Sequence, residues 1–184
     1  MTRVTMKATK DTPFECFVVP EWRDVEVFGQ WMETQHYDGM DLDKDILVPG
    51  NRTYGPATCA FVPGYLNAVI NGSIAPTDKV EPLGVTRSRY TPTRKDPAKA
   101  KAYLANIQKI DPETGKAKGI YLGGYTTPME AHAAWQRAKA VHLEELMERY
   151  RSEPGFRLDV WKALQYRVLK LRLAAEHGVE TFIV

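Results

Sequence analysis

Tyr121-Leu-Gly-Gly-Tyr-Thr-Thr-Pro-Met-Glu-Ala131 passes from a strand pattern to a helix start within a few residues. Its aromatic and apolar positions with paired glycines suit the end of a strand. Thr127 then supplies a capping hydroxyl and Pro128 a proline for the first helical turn. Downstream, Ala131, Ala134, Trp135, Ala138 and Val141 recur at helical spacing. Their mostly small side chains would let a long helix, ending before Pro154-Gly155, lie close against a sheet. Upstream, residues 83–90, 102–110 and 119–125 read as three strand-like segments, with Asp111-Pro-Glu-Thr-Gly115 as a turn between the last two.

Working outward, residues 73–82 read as a linker punctuated by Pro76 and Pro82. Before it, Trp22, Val25, Phe28 and Met32 predict a helix over 21–36. Residues 42–47 are short enough for a strand, Pro49-Gly50-Asn51 marks a turn, and residues 59–62 predict a second strand. Pro63 and Gly72 bracket a short helix. Beyond Pro154, Trp161, Leu164, Val168, Leu171 and Ala175 alternate three and four apart, predicting a last helix over 157–176. That seam suits packing back on the protein, or contact with a second copy or another protein. The expected organisation is therefore α+β, with units at 1–75, 83–150 and 156–178.

Charge is unevenly placed although the chain carries only +2 overall. Residues 1–78 hold 6 Lys/Arg against 11 Asp/Glu, a net of −5, whereas residues 79–142 hold 12 against 5, a net of +7. A basic block beside an acidic one suits a phosphate-backbone surface next to a metal site, and equally a segregated solvated surface. No apolar run approaches the roughly 20 residues of a membrane span. The first residues lack the apolar core of a secretory signal. Cys16 and Cys59 stand singly, so a cytoplasmic protein with reduced thiols and no membrane partner is expected.

Residues 83–142 resemble the Apetala/ethylene-response DNA-binding domain, through Gly84-Val85, Tyr103-Leu-Ala-Asn-Ile107, Tyr121-Leu-Gly-Gly-Tyr125, Thr127 and Glu130-Ala131. The resemblance implies a three-stranded antiparallel sheet on one helix, with the uncovered face presented to double-stranded DNA. It places DNA-contacting positions at Thr86, Ser88, Asn106, Gln108 and Tyr121. Asn and Gln pair bidentately with adenine, and Arg87, Arg89, Arg94, Lys95, Lys116 and Lys118 would meet phosphates. Plant members carry arginine where Thr86 and Ser88 stand. Here Arg87 and Arg89 lie one step away, and a one-residue slip would swap faces.

Leu42-Asp-Lys-Asp-Ile-Leu47, Gly50-Asn51 and the segment from Pro56 to Asn67 resemble the ββα metal hairpin of HNH nucleases. The resemblance implies a divalent cation, Mg by preference, at Asp43 and Asn67. Lys44 stands where the family has its catalytic histidine. Thr58 stands where it usually has asparagine, with Asn51 as the nearest structural substitute. Strand alternation would aim Asp41, Asp43 and Asp45 at one face, which suits a metal site or a solvated acidic edge. Lysine, with an ordinary pKa near 10.4, is a poor base unless strongly perturbed. Charged, it can still stabilise a phosphorane or bind phosphate.

With Cys16-Phe-Val-Val-Pro-Glu-Trp22 and Trp31-Met-Glu-Thr-Gln35, the arrangement is similar to phage proteins described as HNH homing endonucleases. The implied function is metal-dependent cleavage of double-stranded DNA in a bacterial host cytoplasm, with Asp43 and Lys44 as the catalytic pair. The alternative is a DNA-binding regulator or accessory protein on an inactive nuclease scaffold.

Overall fold

The computed structural model describes residues 16–71, 80–88 and 101–182. Among them are four α-helices and three small sheets, a mixed α+β arrangement. The chain enters through β1 (Phe17–Val18), which pairs in parallel with β3 (Thr53–Tyr54). A 3₁₀ turn at Pro20–Arg23 leads into α1 (Val25–Glu33). The single helix expected over 21–36 is thus interrupted at Asp24, whose carboxylate accepts the Glu26 N–H at 2.8 Å and restarts the chain as a cap. Trp22, Phe28, Trp31 and Phe61 gather their rings beneath it, with neighbouring centroids 4.5–6.0 Å apart.

β2 (Asp41–Asp43) pairs antiparallel with β4 (Ala60–Val62), and α2 (Gly64–Asn71) follows. The strand expected over 42–47 ends at Asp43. That side chain accepts the N–H groups of Asp45 and Ile46 at 2.7 and 2.5 Å, curling the backbone out of the ladder. Asp45 therefore does not continue the alternation of Asp41 and Asp43, and the expected three-carboxylate face is not formed. Ile46 is wholly buried beyond the bend.

β5 (Val85–Arg87), β6 (Tyr103–Ile110) and β7 (Ala117–Tyr125) form an antiparallel sheet in that order. α3 (Pro128–Tyr150) packs across it and opens with the expected cap. Thr127 Oγ1 accepts the Glu130 N–H, while Glu130 accepts the Thr127 N–H in return. Gly84 precedes β5 at φ +74°, and a Cβ there would come within 2.0 Å of Trp135 Cδ1. Only glycine lets helix and strand approach so closely. The buried face of α3 differs from the alanine stripe read in the sequence: Val141 is exposed, whereas His132, Gln136 and Lys139 are buried; His142 is buried, as its place on the apolar face implies.

α4 (Leu158–His177) turns its seam inward. Leu164, Val168, Leu171 and Ala175 are buried, so most of the stripe that could have met a partner is used within the protein. One apolar cluster joins Val62, Leu66 and Val69 to Ile107 and Ile110, to Leu143, Leu146 and Tyr150, and to Val160, Leu164 and Leu171. At about 1.5–3 kcal/mol for each large side chain fully buried, α4 contributes substantially to the core. No helix among the described residues is long and apolar enough to cross a membrane. Cys16 is exposed and Cys59 buried, both as free thiols.

Candidate nucleic-acid interface and the acidic hairpin

Register settles which sheet residues face away from α3. Val85 pairs with Ala105 and both are buried. Thr86, paired with Leu104, therefore faces outward, as Asn106 and Gln108 do at alternate positions along β6. Tyr121 lies opposite Asn106 and is 62% exposed. Asn106 Nδ2 donates to Thr86 Oγ1 at 3.4 Å. Four of the five expected contact residues thus share one face. Ser88 lies just past β5, its N–H donating to Ala102 O at 2.7 Å.

A bulge keeps Tyr121 on that face. The register slips between Ala105 and Asn106, leaving Leu122 as an extra residue on β7. Beside it Gly123 adopts φ +130°. Tyr121 and Tyr125 are four apart and would share a face on a regular strand. Across the bulge Tyr125 instead packs against Val85, Ala105 and Ala131 under the helix.

The basic residues rim the sheet. Alternation turns Arg87 away from the Thr86 face, and its guanidinium hydrogen-bonds Tyr103 Oη at 3.3 Å and approaches Glu81 at 3.6 Å. The possibility that a slip brings Arg87 to the outer face is therefore not realised. Lys116 and Lys118 are exposed at the β6–β7 end, Lys118 on the helix side opposite Lys109. Arg89, Arg94 and Lys95 lie outside the described residues. No residue of β5, β6 or β7 is acidic.

In the acidic hairpin, Asp43 is only 5% exposed. Burial raises its pKa, against the two backbone N–H bonds it accepts. Lys44 Nζ pairs with Asp45 Oδ2 at 2.8 Å and lies 5.7 Å above the Tyr54 ring. Burial pulls the Lys44 pKa down, but the Asp45 bond and charge more than offset this and hold it above the ordinary lysine value. Asn51 Nδ2 donates to Lys44 O and Thr53 O, both at 2.8 Å, tying the bend to the following strand. Thr58, at the position expected for asparagine, donates instead to Thr53 O at 2.7 Å.

Asn67 is brought to Asp41, its Nδ2 donating to Asp41 Oδ2 at 3.0 Å, while its Oδ1 accepts from Asn71. These bonds engage the Asn67 oxygen and one of the two Asp43 carboxylate oxygens. Among the described residues no group of three or more His, Cys, Asp or Glu side chains is placed to hold a metal ion.

Sequence reasoning missed the residue that closes this loop. Arg167 of α4 is 3% exposed and donates to Ile46 O at 2.6 Å and Asp45 O at 2.5 Å. Burial lowers its pKa to about 10, with Asp43 and Asp45 opposing the fall. The available signal was an arginine set among the apolar seam residues Leu164, Val168 and Leu171. Compared with known protein families, with curated proteins and with solved structures, the chain shows no significant match.

Proposed function

We propose that this chain is a sequence-selective double-stranded DNA-binding protein that reads the duplex with the outer face of β5–β7. The observation that carries this reading is the convergence of Thr86, Asn106, Gln108 and Tyr121 on the sheet face turned away from α3. Side chains of these types recognise base edges, and a sheet of this width enters a major groove. The absence of carboxylates on its strands removes repulsion from the phosphates. Lys116 at one end, and Arg89, Arg94 and Lys95 in the sequence between β5 and β6, supply phosphate contacts in this reading. A gel-shift titration across a salt series tests it: affinity should fall steeply as salt rises. Absent or salt-insensitive binding would refute it.

A second reading adds phosphodiester cleavage, as in the phage HNH homing endonucleases that the sequence resembles. It is favoured by the order β2, β4, α2 together with the Asn51 bond to the Lys44 carbonyl. Lys44 would then act as a fixed positive charge near phosphate. Its raised pKa opposes a role as the base that deprotonates water. Supercoiled plasmid incubated with Mg or Mn separates the two. Nicking by the wild type that disappears in Asp43→Ala while DNA binding persists would establish cleavage.

A further inference from the structure

Resting on the DNA-binding reading, we propose that the sheet selects adenines two base pairs apart on one strand of the duplex, read by Asn106 and Gln108. These side chains share the outward face of β6. Residues two apart in an antiparallel strand are separated by about 6.8 Å. Two base-pair steps rise by the same amount along the helix axis, at about 3.4 Å each. A β-strand lying along the major groove therefore sets each amide against its own base pair.

The hydrogen-bond pattern selects the base. Adenine shows the groove an acceptor, N7, and a donor, the N6 amino group, whereas guanine shows two acceptors. Asn106 has one acceptor oxygen and two N–H donors. One donor is committed to Thr86 Oγ1. What remains is one donor and one acceptor, which matches adenine. Guanine would need the N–H that Thr86 holds, or an arginine among the described residues of this face. Arg87 is instead drawn to the opposite side by Tyr103 and Glu81.

Gln108 is exposed beside a bare stretch of backbone at Gly119, where an added Cβ would stand 3.4 Å from its Nε2. The Gln108 amide lies over this part of β7. The two readers thus differ: Asn106 is braced by a side-chain hydrogen bond, and Gln108 is exposed.

Selection of the full-length wild-type protein from randomised duplexes at fixed salt, followed by affinity measurements on the selected duplex, tests the proposal. Adenine is expected at two positions separated by one base pair on the same strand. Replacing either with 7-deazaadenine, which lacks the N7 acceptor, should weaken wild-type binding about tenfold. Asn106→Ala should erase the preference at one position and Gln108→Ala at the other, while Thr86→Val should admit guanine opposite Asn106. Salt-dependent binding with a guanine-centred motif, with no preferred sequence, or with indifference to 7-deazaadenine overturns the adenine inference alone. Failure to bind any duplex overturns the DNA-binding reading as well. The modified base lies in the DNA, so that arm does not depend on how the variants fold.

Discussion

Polar side chains buried on α3 end on backbone groups from other elements. His132 Nδ1 meets Leu83 O and its Nε2 accepts the Thr181 N–H, both at 2.9 Å. His142 Nε2 accepts the Ile110 N–H at 2.8 Å. Lys139 Nζ donates to Val69 O at 2.8 Å, with burial lowering its pKa to about 8. Burial lowers both histidine pKa values, although Glu145 pulls His142 and Glu180 pulls His132 the other way. The unfolded chain therefore takes up protons near the ordinary histidine value of about 6.5, while the folded chain resists until lower pH. The stability these neutral rings contribute is complete above that value and lost as pH falls through the window below it. Urea midpoints should drop between pH 7 and pH 5, and the drop should shrink in His142→Gln. Gly84→Ala tests packing at the same scale. Its positive φ and the Trp135 ring predict a loss of about 2–4 kcal/mol, read by chemical denaturation.

At the scale of elements, the bend at 43–46 is held from three directions: by Asp43 from within, by Asn51 from the turn, and by Arg167 from α4. Arg167→Met would relieve a buried charge but orphan the Asp45 and Ile46 carbonyls and remove a positive charge near the buried Asp43. The second effect should win, costing about 3 kcal/mol, with faster hydrogen exchange at the Asp45 and Ile46 amides as the local readout. Retained protection at those amides would show that the bend does not need α4. This bend also marks where sequence reading stopped working. α3 was legible because Thr127-Pro128 specifies a local cap, and α4 because its seam has helical periodicity. The end of β2 was hidden because Asp43 bonds its own following backbone, overriding an alternating pattern. The bulge at Leu122 was hidden because paired glycines in a strand do not say which face resumes. The outer sheet residues were named through the family resemblance, and the burial of Ala105 and Ile107 in the structure gives the phase of Asn106 and Gln108.

Across the whole molecule, one apolar cluster draws on the acidic hairpin, the sheet, α3 and α4. Contacts between such distant segments leave no local pattern in the sequence, where prolines and charge blocks are the visible divisions. Shared burial predicts a single cooperative unfolding transition. Far-ultraviolet dichroism and tryptophan fluorescence should report the same midpoint, although Trp22 and Trp31 lie near the hairpin and Trp135 beneath the sheet. Two separated midpoints would mean that the halves are independent. The Arg167 bonds also impose an order of assembly. The arginine follows Ile46 by 121 residues, and translation at about 5–20 residues per second delivers it on the order of ten seconds later. Until then the hairpin has its strands but the Asp45 and Ile46 carbonyls remain hydrated, so the segment made first is the last to be finished.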